Sequence, residues 1–214
     1  MTPKLVIFDC DGVLVDTEPT TDRILAKRLT AAGFPIAEDA IAGMFIGGTI
    51  RGIADEAQRQ GATLSENWVD DTYAEMFVAL SQGVPVIDGV PTLLDRLKAA
   101  GVATAIASNG PMRKMEITLT PSGLINRFAG RIYSGHDYPP KPAPDMIVHA
   151  MSVAGCSAAE TVFIDDSVTG AKAGIAAGVR TLGFAPQGDD GSRAAIGAEV
   201  VHSMDEIAAR LTLS

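Results

Sequence analysis

Two aspartates near the start of the chain are the first residues whose type and spacing suggest chemistry. Asp9 and Asp11 directly follow the apolar segment Lys4 to Phe8, which is typical of a strand buried on both faces of a parallel sheet. Alternation along a strand puts the two carboxylates on one side and Cys10 on the other. Carboxylates this close repel each other, so we expect a cation or a shared proton between them. An N-cap beside a turn aspartate is the simpler alternative.

A second acidic pair follows another apolar segment. Asp165 and Asp166 come after Thr161 to Ile164 and before a helical pattern, where helix capping would explain one such pair. Capping explains two pairs less well, because the carboxyl ends of parallel strands lie along one edge of a sheet. Oxygen-rich sites suit Mg²⁺, which is commonly bound together with phosphate. The sequence therefore predicts a magnesium site beside a phosphate site.

Two further segments are suited to phosphate. Ser108-Asn109-Gly110 ends a predicted strand and opens a helix at Pro111, where a hydroxyl and free backbone N–H groups form an anion site. Lys141 stands among closely spaced prolines that fix its backbone, although a lone lysine is usually a solvated surface residue. We interpret both as candidate phosphate-binding groups.

The elements that would position these residues alternate between strand and helix. Several helical patterns end at a glycine suited to a helix C-cap. This alternation predicts an α/β fold with a doubly wound, Rossmann-like parallel sheet. The predicted strands are 4–8, 102–107, 131–134, 161–164 and 179–184, and the predicted helices between them are 91–100, 111–119, 144–154 and 167–177.

One stretch interrupts the alternation. Between about Asp16 and Gly83 the patterns are helical only, starting at Thr17-Glu18-Pro19 and continuing over 50–60 and 65–80. An all-helical block after the first strand predicts an inserted cap domain. We assign residues 16–84 to this cap and residues 1–15 and 85–214 to the core, with hinges at 16–19 and 81–85.

Composition excludes several classes of protein. The chain has 214 residues with 17 Lys and Arg against 26 Asp and Glu, a formal charge of −9 that disfavours nucleic acid and anionic membranes as partners. The N-terminal apolar stretch is too short for a signal peptide, and no apolar run could span a bilayer, so we expect a cytoplasmic protein. The two cysteines form no disulfide framework, and motifs for dinucleotides, P-loops and serine hydrolases are missing.

The four segments together resemble the motifs of the haloacid dehalogenase-like hydrolase superfamily. These motifs are Asp9-Cys10-Asp11-Gly12-Val13-Leu14-Val15-Asp16, Ser108, Lys141 and Asp165-Asp166, in this order. The resemblance covers essentially the whole chain, and the helical insert matches the branch with a small helical cap after strand one. Within that branch, the chain is similar to the 6-phosphogluconate phosphatase and β-phosphoglucomutase group.

The resemblance implies a role for each motif residue. Asp9 would be the nucleophile that forms an aspartyl-phosphate, and Asp11 would protonate the leaving alcohol and then activate water. Ser108, the Asn109 amide and Lys141 would bind the transferring phosphoryl group. The substrate would be a small phosphorylated metabolite, and we expect the enzyme to be a monomer.

The resemblance also implies the metal ligands. Mg²⁺ would be held by Asp9, the carbonyl oxygen of Asp11 and Asp166, with Asp165 adjacent. A cis peptide bond between Lys141 and Pro142 is expected as well.

Phosphatase and phosphomutase activity are the two most similar candidate functions, and residues of the predicted cap distinguish them. The related phosphomutases have a histidine early in the first cap helix, and Thr21 stands there in this chain, which favours hydrolysis over mutase activity. Arg51, with Arg113 and Lys114 from the core side, would suit an acidic sugar phosphate such as 6-phosphogluconate. A solvated helix charge is the alternative for Arg51.

Three more distant functions are disfavoured. A phosphoacceptor signalling domain would be shorter and would lack the helical insert. A haloacid dehalogenase would not need the second acid, Asp11. A binding protein without catalytic activity would be expected to lack at least one motif residue.

Overall fold

The computed structural model describes residues 2–41, 49–128, 130–188 and 191–213, and within them strands and helices alternate. Six strands form one parallel sheet in the order β3-β2-β1-β4-β5-β6. This confirms the predicted α/β, doubly wound fold. The strands are β1 (Leu5–Phe8), β2 (Ala103–Ser108), β3 (Ile132–Ser134), β4 (Thr161–Asp165), β5 (Arg180–Phe184) and β6 (Glu199–Val201).

Nine α-helices accompany the strands in these residues. None of the described helices is both long and apolar enough to cross a membrane. The helices are α1 (Glu18–Ala31), α2 (Ile50–Arg59), α3 (Trp68–Leu80), α4 (Val90–Ala99), α5 (Met112–Leu119), α6 (Asp145–Ala154), α7 (Val168–Ala176), α8 (Ser192–Ala195) and α9 (Met204–Arg210).

Strand β1 lies at the centre of the sheet and is buried on both faces. Val6 and Phe8 pack into the hydrophobic core on one face, and Leu5 and Ile7 pack into the core on the other. Phe8 is paired in register with β2 on one side and β4 on the other. The residues that follow β1, β2 and β4 therefore come together at one edge of the sheet.

The structure adds one strand that the sequence did not suggest. β6 has three residues and pairs with β5 at the edge of the sheet. A strand this short begins with a charged residue and has too few positions to establish a period. Strands β2 and β4 each extend one residue beyond their predicted ends, to Ser108 and Asp165.

The helical segment after β1 has a hydrophobic core of its own, formed mainly by α1, α2 and α3. The chain enters and leaves this segment side by side, because the Asp16 N–H donates to the Pro85 carbonyl at 2.9 Å and the Ile87 N–H donates to the Leu14 carbonyl at 3.1 Å. A helical segment with its own hydrophobic core, joined to the sheet by two neighbouring chain segments, is the arrangement expected of an inserted cap. The domain limits 16 and 84 remain a prediction.

Candidate active site

Asp9 is the first residue after β1, and its carboxylate is buried. Its side chain faces Lys141, with 2.9 Å between Asp9 Oδ1 and Lys141 Nζ. The surroundings of Asp9 together raise its pKa to about 7: burial is the largest cause, Lys141 opposes it, and the nearby Asp165 and Asp11 add to it. The positive charge of Lys141 thus offsets only part of the cost of burying the ionised Asp9 carboxylate.

Lys141 is 3% exposed and lies between two carboxylates. Its Nζ is 2.7 Å from Asp165 Oδ2 as well as 2.9 Å from Asp9. Desolvation acts against the ammonium, but the two carboxylates outweigh it and raise the pKa of Lys141. The predicted phosphate-binding lysine is therefore a buried, positively charged group, in contrast to the solvated alternative.

The backbone of Lys141 is held by the side chain of Asn109. Asn109 Nδ2 donates to the Lys141 carbonyl at 3.0 Å, and the Lys141 N–H donates to Asn109 Oδ1 at 2.7 Å. The Lys141–Pro142 peptide bond is cis, as predicted. The Asn109 side chain thus positions Lys141, and a phosphate contact through the Asn109 backbone amide stays a prediction.

Ser108 closes β2 next to this lysine. The side chain is 2% exposed, and its hydroxyl accepts a hydrogen bond from the Gly110 N–H at 3.2 Å. Helix α5 begins two residues later at Met112, with Pro111 as its N-cap residue. Ser108, Asn109 and Gly110 line the same cavity as Asp9, so the predicted anion site faces the predicted nucleophile.

Both carboxylate oxygens of Asp11 are engaged. Thr17 donates its hydroxyl to Oδ1 at 2.7 Å, and Lys114 donates to Oδ2 at 2.7 Å. Lys114 is buried and lines the same cavity as Asp9, and its contact with the substrate stays a prediction. Sequence reasoning missed Thr17 as a site residue, although it follows Asp16 at the end of the first motif.

The acidic residues fit a divalent cation. Asp9, Asp165 and Asp166 can each offer an oxygen so that all three atoms lie within 4.8 Å of one another. Asp165 already accepts from Lys141 and twice from Ser167, at 2.8 and 2.7 Å, so we favour Asp9 and Asp166 as the carboxylate ligands. Asp9 Oδ1 is buried and receives no well-directed hydrogen bond from the part of the chain that the structure describes.

The carboxylates pack so closely against the backbone that two positions, Gly12 and Gly170, have no room for a side chain. A Cβ on Gly12, whose φ is +75°, would lie 2.2 Å from Asp166 Oδ2. A Cβ on Gly170 would lie 1.8 Å from Asp165 Oδ2. Burial is the main cause that raises the pKa of Asp166 well above its ordinary value, with the charges of Asp165 and Asp9 adding to it. The crowding of these carboxylates is what a bound cation would relieve.

We predict that Mg²⁺ raises the melting temperature more at about pH 8 than at about pH 5. Between its ordinary pKa of 3.8 and about 7, Asp9 holds its proton more tightly in the folded chain than in the unfolded chain. The metal-free protein therefore loses stability as the pH rises through this range. Mg²⁺ binds the ionised carboxylates and restores it. Thermal melts with Mg²⁺ or with chelator, at equal ionic strength, measure the difference, and equal gains at both pH values would contradict the metal assignment.

The motif residues line a cavity of about 430 Å³, and residues of the helical segment after β1 line it as well. Arg193 of α8 lines it and donates from Nε to the Asp166 carbonyl at 2.6 Å. The sequence offered no signal for Arg193, because it lies far from every motif. The helical segment contributes Glu18, Thr21, Asp22, Ile50, Tyr73 and Met76.

Arg51 lines a cavity next to the one that contains Asp9, and its role in substrate specificity stays a prediction. Arg51 and Arg113 line a neighbouring cavity together with His136, and neither is among the residues that line the cavity of Asp9. Tyr73 and Pro111 border both cavities. The two cavities therefore adjoin at Tyr73 and Pro111.

Comparison with known proteins gives consistent matches over nearly the whole chain. The model of a haloacid dehalogenase-like hydrolase family matches residues 3–178. The chain is 29% identical over 184 residues to the 6-phosphogluconate phosphatase of Escherichia coli K12, covering 85% of this chain and 82% of that protein.

Two solved structures are also similar. One is a haloacid dehalogenase-like protein of unknown function from Agrobacterium tumefaciens, with a TM-score of 0.84, 32% identity and coverage of 98% of this chain and 97% of the other. The second is a hydrolase from Deinococcus radiodurans with bound phosphate and sodium, with a TM-score of 0.79, 30% identity and coverage of 99% and 96%.

Proposed function

Because the chain belongs to the haloacid dehalogenase-like hydrolase family, we propose that it is a magnesium-dependent phosphatase that acts through an aspartyl-phosphate. Its substrate would be a small phosphate ester, either a sugar phosphate or a sugar-acid phosphate such as 6-phosphogluconate. The similar Escherichia coli protein is named as a 6-phosphogluconate phosphatase. The buried Asp9 carboxylate beside Lys141, in one cavity with Asp11 and Ser108, is the observation that supports this proposal.

In the first step an Asp9 carboxylate oxygen attacks phosphorus, and the bond between phosphorus and the ester oxygen breaks. Asp11, which accepts from Thr17 and Lys114 in this structure, would first take up a proton and then pass it to the departing alkoxide, so that the alcohol leaves neutral. In the second step Asp11 removes a proton from water, which attacks the phosphorus of the aspartyl-phosphate. Inorganic phosphate leaves, and Asp9 is regenerated as a carboxylate.

Charge builds up on the transferred phosphoryl oxygens, and residues of this chain would meet it. Lys141 supplies a buried positive charge, and the Ser108 hydroxyl and the N–H groups before α5 supply hydrogen-bond donors. Mg²⁺ held by Asp9, Asp166 and the Asp11 carbonyl oxygen would offset the repulsion between the phosphate and the nucleophile. Thr17 and Lys114 hold the Asp11 side chain in a fixed orientation.

The cap favours water as the phosphoryl acceptor. Thr21 stands where the resembling phosphomutases have a histidine, and the cap, residues 16–84, contains no histidine in its sequence. Hydrolysis is thus the proposed outcome, and transfer back to a sugar is not.

We predict phosphate release from p-nitrophenyl phosphate that requires Mg²⁺. The assay compares the purified protein with Mg²⁺, with chelator, and with chelator followed by excess Mg²⁺. Activity should disappear with chelator and return with the metal. Hexose 1- and 6-phosphates assayed for isomer interconversion test the mutase alternative. Turnover that is insensitive to chelator, or interconversion with little phosphate release, would contradict the proposal.

A further inference from the structure

We propose that the substrate carries its phosphate on a hydroxyl-rich sugar that is uncharged or bears an amino group, and that Asp22 and Thr21 select for it against sugar acids. This inference rests on the proposed phosphatase function, and within the proposed substrate class it favours sugar phosphates over the sugar-acid example, 6-phosphogluconate. It depends on the side of the catalytic cavity formed by α1, opposite the phosphate-binding residues.

The α1 side of the cavity is acidic. Glu18 and Asp22 lie one helical turn apart on α1 and both line the cavity that contains Asp9. Asp22 is half-buried, and burial raises its pKa to about 6, with Glu18 and Glu38 contributing. At about pH 8 Asp22 is therefore ionised in most molecules. A substrate carboxylate placed against this wall would meet like charge.

Thr21 supplies an independent sign that a ligand belongs here. Its side chain is 5% exposed and lines the same cavity, and its buried hydroxyl has no hydrogen-bond partner among the residues that the structure describes. A buried hydroxyl without a partner is costly, so a rotation of the Thr21 side chain that let the hydroxyl pair with a ligand group in the cavity would be favoured. A sugar hydroxyl can both donate and accept, and it can bind Thr21 and a neighbouring carboxylate together.

The remaining cap residues of the cavity suit a sugar ring. Ile50, Tyr73 and Met76 add apolar and aromatic surface beside the acidic wall, and sugars present both C–H faces and hydroxyl edges. The cationic residues of the cavity are engaged elsewhere: Lys141 with Asp9 and Asp165, Lys114 with Asp11, and Arg193 with the Asp166 carbonyl. Arg51, the cation expected to receive a carboxylate, lines the neighbouring cavity.

Three phosphates of the same chain length test this inference. Glucosamine 6-phosphate, glucose 6-phosphate and 6-phosphogluconate carry an ammonium, a neutral sugar and a carboxylate, respectively. We expect kcat/KM of the wild type to be about tenfold or more higher for glucosamine 6-phosphate than for 6-phosphogluconate, the size of one charged hydrogen bond. All values are divided by the same protein's kcat/KM for p-nitrophenyl phosphate, so that a general loss of catalysis cancels.

Substitutions of Asp22 and Thr21 should change the substrate preference, expressed as the ratio of normalised kcat/KM for glucosamine 6-phosphate to that for 6-phosphogluconate. Asp22→Asn is expected to lower it by about tenfold, and Asp22→Lys to invert it in favour of the sugar acid. Thr21→Val should lower the normalised values for glucose 6-phosphate and glucosamine 6-phosphate by about fivefold, the effect of one neutral hydrogen bond. Asp55→Asn, which removes an exposed acid from cap helix α2, is the matched control and should leave the ratio unchanged.

Three results would overturn the inference. One is a wild type that prefers 6-phosphogluconate, and another is an Asp22→Asn ratio equal to that of Asp55→Asn. In either case hydrolysis of p-nitrophenyl phosphate would still support the proposed function. Absence of p-nitrophenyl phosphate hydrolysis by folded wild type would overturn the function and this inference together.

Discussion

Asp9→Asn is expected to release phosphate from p-nitrophenyl phosphate more slowly than the wild type by a factor on the order of 10⁴ or more. An amide oxygen is a very poor nucleophile, and no aspartyl-phosphate can form on the substituted side chain. The substitution preserves size and shape, so the fold should persist. Phosphate release measured with saturating Mg²⁺ gives the rate, and mass spectrometry of the protein after a brief incubation with substrate reports the phosphoenzyme.

Stability should change in the opposite direction to activity. Burial raises the pKa of Asp9 to about 7, so above that pH the wild type must hold a charge that its surroundings disfavour. The amide removes the charge, and metal-free Asp9→Asn should melt at or above the wild-type temperature at about pH 8. Asp137→Asn, at an exposed loop position after β3, is the matched control and should match the wild type in both assays. Activity within tenfold of wild type in Asp9→Asn would refute the nucleophile assignment.

The sequence predicted the sheet and the motif positions because they depend on local patterns. A short apolar run ending in Asp9 indicates a buried parallel strand and its carboxyl edge, and the paired register of β1 with β2 and β4 brings Ser108 and Asp165 to that edge. Lys141 followed from the resemblance and from the prolines around it. The structure adds that its charge lies between Asp9 and Asp165.

The parts that the sequence left open depend on three-dimensional packing. The assignment of Arg51 to the substrate followed from its charge near a helix start, and in the structure Ile50 lines the catalytic cavity while Arg51, the next residue of α2, lines the adjoining one. Thr17 contacts Asp11 from the turn before α1, and its place directly after the first motif did not by itself indicate this hydrogen bond. Arg193 contacts the site from α8, far from every motif. The sequence predicted that α1 is a helix, but it did not show that Glu18 and Asp22 face the catalytic cavity.

Lys141→Met is expected to lower both turnover and stability. Removal of a positive charge from the phosphoryl site should lower kcat by about 10³-fold, in the range found for preorganised donors to a developing charge. The same change leaves Asp165, which is fully buried, and Asp9 without their ammonium partner. Loss of one partner from a buried ion pair costs about 3–5 kcal/mol of unfolding free energy. Lys172→Met, at an exposed position of α7, is the matched control.

A double variant separates the two effects of Lys141. In Lys141→Met/Asp165→Asn the second change removes a stranded charge while an amide oxygen can still accept from Ser167, as Asp165 Oδ1 does. We therefore expect chemical denaturation in chelator to show that the double variant recovers part of the lost unfolding free energy, whereas phosphate release with Mg²⁺ stays as low as in Lys141→Met. Recovery of turnover together with stability would mean that Lys141 acts only as a structural counterion. A Lys141→Met protein as stable as the wild type would show that the ion pairs with Asp9 and Asp165 contribute nothing to the fold. The predicted outcome requires one ammonium to serve both roles, holding two buried carboxylates together and presenting positive charge where the phosphoryl group is transferred.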